Sequence, residues 1–275
     1  HEFGRLAPDQ LRTIILGILD EDQVRRFEND PESRFELDFA YSIEGVGRFR
    51  FNVHRQRGTM GAVARSLATS IPSLDQLGLP ASVVRLTEAR KGLALVTGPT
   101  GSGKSTTLAA IIDRINSTRP DHILTIEDPI EYLHNSKMSY VIQREVGDRA
   151  DTLSFRNALK HALRQDPDVI LIGEMRDYET IGIAITSAET GHLVFGTLHT
   201  QSAAQTIGRI IDVFPSDQVE QVKTQLAGTI FGVLAQVLLP KKDGSGRVCA
   251  CEIMFSTPAI RNNIRTNNID AIYQS

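Results

Sequence analysis

Between residues 98 and 105 the chain reads Gly98-Pro99-Thr100-Gly101-Ser102-Gly103-Lys104-Ser105, which satisfies the pattern G-x-x-x-x-G-K-[ST]. Each position answers a chemical need. Glycines let main-chain N–H groups converge on phosphate oxygens with no Cβ in the way. A helix opening at Lys104 adds positive potential at its N-terminus, and the lysine ammonium can neutralise β and γ phosphates. Ser105 is placed to ligate Mg²⁺, and Thr106 follows it as the last residue of the candidate cradle. An apolar run over Leu93–Thr97 predicts a strand leading into the loop, and a helix is predicted from Lys104 to Asn116. A glycine-rich turn with an incidental lysine would require neither flank. The expected ligands are ATP and Mg²⁺.

Hydrolysis of a triphosphate also needs a carboxylate that can align water, and such a group is normally carried at the end of a neighbouring buried strand. Glu174 ends Asp168-Val-Ile-Leu-Ile-Gly-Glu174, which resembles a Walker B strand, although Gly173 stands where an aspartate is common. The acidic partner of a metal must then come from elsewhere. Ile126-Glu127-Asp128-Pro129-Ile130-Glu131 offers it, with three carboxylates around a proline where a strand over His122–Ile126 ends. Taken alone, these could equally be a solvated acidic loop with a helix cap. The pair His192 and His199 has a spacing that is poor for zinc and common for ordinary polar histidines.

The elements that must hold these groups can be read from periodicity. Further strands are predicted at Val169–Ile172 and Leu193–Thr197, and helices at 154–164, 178–189 and 203–211. Strand and helix in strict alternation imply a parallel sheet covered on both faces. Upstream, Pro8 opens a helix with Leu11, Ile14, Ile15, Ile18 and Leu19 on one face, and alternation over Arg34–Ile43 and Arg48–Val53 about Glu44-Gly45-Val46-Gly47 predicts two antiparallel strands. Two prolines and two serines within 69–80 suit an exposed connection, so the domains are placed at 1–68 and 81–275. His1, Glu2 and Phe3 read as a tag and cloning remnant.

The sequence has 275 residues, 30 Lys plus Arg against 33 Asp plus Glu, and a formal net charge of -3, so no basic excess points to nucleic acid or an anionic membrane. Apolar runs such as Thr13–Leu19 and Phe231–Leu239 are too short to span a bilayer, so no membrane insertion is expected. Cys249 and Cys251 form a C-x-C pair too close for an ordinary structural disulfide and too small for a closed zinc site, which predicts reduced thiols in a cytoplasmic protein.

Four blocks in order, GPTGSGKSTT at 98–107, TIEDPIE at 125–131, DPDVILIGEMRD at 166–177 and AETGHLVFGTLHT at 188–200, resemble the secretion ATPases of the PilT, PilB and GspE group. The resemblance implies a RecA-like P-loop core with a parallel sheet, preceded by a smaller α+β, PAS-like domain that is incomplete at its start. It implies Glu174 as general base, Glu131 and Glu127 assisting Mg²⁺ and water, and His192 and His199 coupling nucleotide state to domain position. Arg50, in Arg48-Phe-Arg50-Phe-Asn52, and Arg65, in Gly61-Ala-Val-Ala-Arg65, match the arginines that the family's first domain sends to nucleotide. Without the family they read equally well as solvated strand arginines. A homohexameric ring, an inner-membrane platform protein of a pilus as partner, and a cytoplasmic station at the pilus base are further implications.

Extension and type II secretion members usually carry a four-cysteine zinc insertion, which Cys249-Ala-Cys251 cannot supply. Residues 259–266, AIRNNIRT, are instead similar to the retraction signature AIRNLIRE, departing at Asn263 and Thr266. The expectation is ATP hydrolysis driving pilus retraction; the alternatives are an extension or type II secretion ATPase, or an idle ATP-binding regulatory ring. Taken by itself the last stretch could also be a C-terminal amphipathic helix packed on the core.

Overall fold

The computed structural model of the protein describes residues 4, 6–30, 35–68, 70–147 and 150–274. The expected tag remnant at His1, Glu2 and Phe3, the strand start at Arg34 and the linker start at Thr69 lie outside the described residues. The chain divides into two compact units, His1–Ser70 and Ile71–Ser275.

In the smaller unit Pro8 opens α1 (Pro8–Ile18), whose Leu11 and Ile15 turn toward the core. Ile14, expected on that face, falls on its flank and is exposed. Asp20 and Gln23 form a capping box, with Gln23 N–H donating to Asp20 Oδ1 at 2.7 Å and Asp20 N–H to Gln23 Oε1 at 3.0 Å. It starts α2 (Glu21–Asn29), a helix that apolar periodicity missed because Phe27 is its one buried residue. The predicted antiparallel pair is β1 (Glu36–Ile43) and β2 (Gly47–Gln56), with Leu37 opposite Val53. A third strand, β3 (Thr59–Ser66), adds to β2; its small residues Gly61, Ala62 and Ala64 leave little alternation to read. Ile15, Phe27, Leu37, Val53 and Met60 close one face of this sheet into a core.

The larger unit runs α3 (Val84–Glu88), β4 (Gly92–Thr97), α4 (Lys104–Thr118), β5 (His122–Glu127), β6 (Tyr140–Glu145), α5 (Phe155–Ala162), β7 (Val169–Ile172), α6 (Tyr178–Glu189), β8 (Leu193–Leu198), α7 (Ala203–Asp212), α8 (Val219–Thr229), β9 (Ile230–Pro240), β10 (Arg247–Phe255) and α9 (Pro258–Arg265). Helices begin where side chains can cap them: Ser154, Asp177, Ser202 and Thr257 each accept the N–H three residues on. The strands form one sheet in the order β10-β9-β4-β8-β7-β5-β6, parallel throughout except for β10, which pairs antiparallel with β9. One face buries apolar residues of α5 to α9, and the other buries those of α3 and α4, so the central strands are apolar on both sides.

Strict alternation of strand and helix does not hold at the sheet edges. β5 passes to β6 through residues 128–139 without a helix, and β9 turns directly into β10. The apolar run at 231–239 is thus a strand, and the C-terminal stretch is strand first, helix only from Pro258. The segment expected as an exposed linker also differs. From Ile71 it belongs to the larger unit, because Leu74, Leu77 and Leu79 between the two prolines pack on the α3–α4 side of the sheet, and Leu74 is 7% exposed. Among the described residues, no helix is long and apolar enough to cross a membrane.

Leu74→Ala should therefore cost roughly 2–5 kcal/mol in urea unfolding of the larger unit, as a buried leucine does; a solvated linker residue would change stability by less than about 0.5 kcal/mol.

Candidate active site

Four parallel strands, β4, β8, β7 and β5, lie side by side and end at one edge of the sheet, with Thr97 opposite Leu198, Ile172 opposite Gly196 and Ile126 opposite Ile172. The residues that follow them are Gly98, His199, Glu174 and Glu127 or its neighbours. Sequence motifs separated by up to a hundred positions thereby meet at the carboxyl edge, where open α/β sheets bind ligands.

The loop after β4 holds Gly98, Gly101 and Gly103 at φ of 141°, 78° and 87°, left-handed conformations that glycine adopts without a Cβ penalty. A Cβ on Gly98 would also collide with the main-chain oxygen of Gln236. Lys104, the first residue of α4, donates from Nζ to the Gly98 carbonyl at 2.8 Å and to that of Pro99 at 3.1 Å. Burial pulls its pKa down, while the Glu174 and Glu131 carboxylates pull it up. Ser105 and Thr106 follow in the first turn of α4, and Thr106 Oγ1 pairs with the Tyr132 hydroxyl at 2.9 Å. That contact ties the acidic loop after β5 to the helix that carries the phosphate loop.

Glu174 accepts from Arg176 Nη2 and pairs with His199 Nε2, each at 2.7 Å and each on a different carboxylate oxygen. The Arg176 hydrogen bond does most to hold its carboxyl below the usual range; burial opposes this and His199 adds to it. Gly173, noted for standing where an aspartate is common, has a steric cause. Its N–H donates to the Ile126 carbonyl at 2.7 Å, and a Cβ there would meet that oxygen and Glu127 Cα at 3.2 Å. The close approach of this residue to the end of β5 makes any Cβ here tight, so glycine fits with the least displacement of its neighbours.

Glu127, at the end of β5, accepts from Thr125 Oγ1 at 2.7 Å and from Gln143 Nε2 at 3.2 Å. Burial pushes its pKa up and these hydrogen bonds oppose it. Glu131 is exposed, so the two acids differ in kind: one is locked into the sheet edge and one faces solvent. Beneath the loop a cavity of about 30 Å³ is lined by Ser105, Glu127, Tyr132, His134 and Thr197. Burial lowers the His134 pKa to about 4, which keeps that ring neutral at physiological pH.

Comparison with known proteins gives the family. The family of type II/IV secretion system proteins matches residues 62–275. The type IV pilus retraction ATPase PilT of Pseudomonas aeruginosa is 50% identical over 270 residues, covering 98% of this chain and 76% of that protein. The chain belongs to the type II/IV secretion ATPase family. A twitching motility protein of Neisseria gonorrhoeae is 48% identical, covering 97% of this chain and 70% of that protein. A crystal structure of the pilus retraction motor PilT with bound ADP matches with a TM-score of 0.92 at 50% identity, covering 97% of this chain and 76% of that one.

Within this secretion ATPase the predicted residues separate into groups. Gly98 to Thr106, Glu127, Glu131, Glu174 and His199 gather at one edge. His192 does not: it precedes β8 while His199 follows it, which puts roughly 20 Å of extended chain between them. The His192 ring instead pairs through Nδ1 with the Ser187 carbonyl at 2.9 Å, closing the end of α6. Arg50 and Arg65 lie in the smaller unit, exposed and directly opposite each other across β2 and β3. Sequence reasoning missed Arg176, Tyr132 and Gln143 as supporting groups; Arg176 stood inside the 166–177 block, while the other two carry no local signal.

A ¹³C titration of the Glu174 carboxyl should place it below an ordinary glutamate, and Arg176→Ala should move it up by more than His199→Ala does. Equal or absent upward moves would show that the Arg176 contact does not control this acid.

Proposed function

We propose that this protein is the ATP-hydrolysing motor subunit that retracts a type IV pilus. The observation that carries the reading is the placing of the Gly98–Ser105 loop, with Lys104 Nζ on the Gly98 carbonyl, at the same sheet edge as Glu174 with its Arg176 and His199 partners, in a chain whose relatives are retraction and twitching-motility proteins. Main-chain amides of the loop and Lys104 would bind the triphosphate. Glu174 would align a water, and its oxygen would attack the γ phosphorus as the bond to the β-phosphate oxygen breaks. The proton would pass to Glu174, and the products would be ADP and inorganic phosphate.

Mg²⁺ fits the donors present, since Ser105 and Glu131 offer hard oxygen ligands beside the loop. Among the described residues no group of three or more His, Cys, Asp and Glu side chains forms a metal cage; phosphate and water oxygens would complete the coordination. The ion would neutralise charge on the phosphates. Glu127, locked by Thr125 and Gln143, would keep the acidic loop in place rather than take the proton.

By the family's pattern, Arg50 and Arg65 would lend their charge to nucleotide binding in the assembled ring. Like charges directly opposed on a sheet are unfavourable unless an anion balances them, which supports that reading. A homohexameric ring with nucleotide at its clefts, working on the cytoplasmic side of the inner membrane against the pilus platform protein, follows from the family. His199, in contact with Glu174, would report the nucleotide state to the rest of the ring.

Two measurements test this. Glu174→Gln should keep ATP binding within about threefold and lower steady-state phosphate release by about 10²-fold or more; a wild-type protein that releases no phosphate would sink the motor. Cells lacking the protein should be hyperpiliated and unable to twitch, whereas bald cells would make it an extension motor.

A further inference from the structure

Strand β9 runs beside β4, and Gln236 is the one polar side chain in its apolar run from 231 to 239. That side chain is 4% exposed. Its Nε2 donates to the Ser102 carbonyl at 2.7 Å. Its main-chain oxygen abuts Gly98, and a Cβ on Gly103 would come within 3.3 Å of the same Nε2. One residue thus touches the first, fifth and sixth positions of the phosphate loop from below, without belonging to any nucleotide-binding motif.

The consequence lies in peptide geometry. In a trans peptide unit the carbonyl and the following N–H point in opposite directions. A donor that pins the Ser102 oxygen toward β9 therefore turns the Gly103 N–H away from β9, to the side from which a phosphate would arrive. Gly103, at φ 87°, has no steric preference that would hold this plane by itself. The glutamine also brings a cost: its Oε1 is buried with no hydrogen-bond partner among the described residues. An apolar residue of equal size would avoid that penalty, so packing alone does not account for an amide here.

We propose that Gln236 is a positioning residue for nucleotide binding, presetting the Gly103 amide through its hydrogen bond to Ser102. The inference rests on the reading that this loop binds ATP and ADP. The glutamine touches no substrate; it acts through the loop, in the ground state and during turnover alike. Its loss should weaken binding far more than it slows the chemical step.

Two variants separate positioning from packing. Gln236→Met keeps length and bulk but removes the donor; Gln236→Glu keeps the shape and sets an acceptor against the Ser102 oxygen. With ADP as the titrant and MgATP as substrate, Gln236→Met should raise the ADP dissociation constant and the KM for ATP roughly tenfold, with kcat within about threefold. Gln236→Glu should raise both further, and if its buried charge unfolds the protein, Gln236→Met alone decides. Thermal melting without nucleotide confirms that each variant is folded. A Gln236→Met protein that binds ADP as tightly as wild type while Lys104→Ala does not would overturn the positioning role and leave the nucleotide site standing. A fall in kcat larger than the rise in KM would overturn it as well. Wild-type protein that binds no ADP would overturn both.

Discussion

Parallel pairing of β4, β8, β7 and β5 is the constraint on which the site depends. Each of these strands is buried on both faces and hydrogen-bonded on both edges, so none can slide by a residue without turning its whole side-chain set over. Because the strands run the same way, their ends share one edge, and a residue just past a strand end inherits the position of the sheet to within a bond or two. The Gly98–Ser105 loop, Glu174, the acidic loop and His199 follow four different strands. Their mutual placement is the register of the sheet, expressed in chemistry.

Electrostatics then decides which acid does what. Burial depresses the Lys104 pKa while the Glu174 and Glu131 carboxylates support its charge. Glu174 is held ionised by Arg176 and His199, while Glu127 is pushed toward its neutral form by burial and held by Thr125 and Gln143. Chemically identical groups are therefore pushed in opposite directions because one lies beside cations and the other is sealed into a hydrogen-bonded corner. Steric contact supplies the remaining choice. Gly173 packs on Glu127 Cα, and the acids beside it are those of β5 and of the loop that follows.

The smaller unit obeys a different economy of sequence. A three-stranded antiparallel sheet buries one face against α1 and α2 and leaves the other for Arg50, Arg65 and their polar neighbours. Alternation makes that possible, since the residues that build the core and the residues that face solvent occupy successive positions. Arg50 and Arg65 are exposed and opposed across two strands on that second face.

The phosphate loop, the strand that precedes it, the acid just past β7 and the fold class were legible in the chain because their signals are local: glycines at fixed offsets, an apolar run of strand length, and an acid two residues beyond it. The helix α2, the strands β3 and β10, and the packing of Leu74 were not, because short or small-residue segments owe their form to neighbours distant in sequence. His192 and His199 show the limit most plainly. Their spacing of seven along the chain says nothing about whether they meet, and an extended strand sends them to opposite ends of the sheet. Gln236 could be noticed as a polar residue in an apolar run, but its contact with Ser102 spans 134 positions. Local pattern determines which residues can do chemistry; tertiary pairing decides which of them face one another, because strand register and close backbone approach are properties of the assembled sheet and of no single segment.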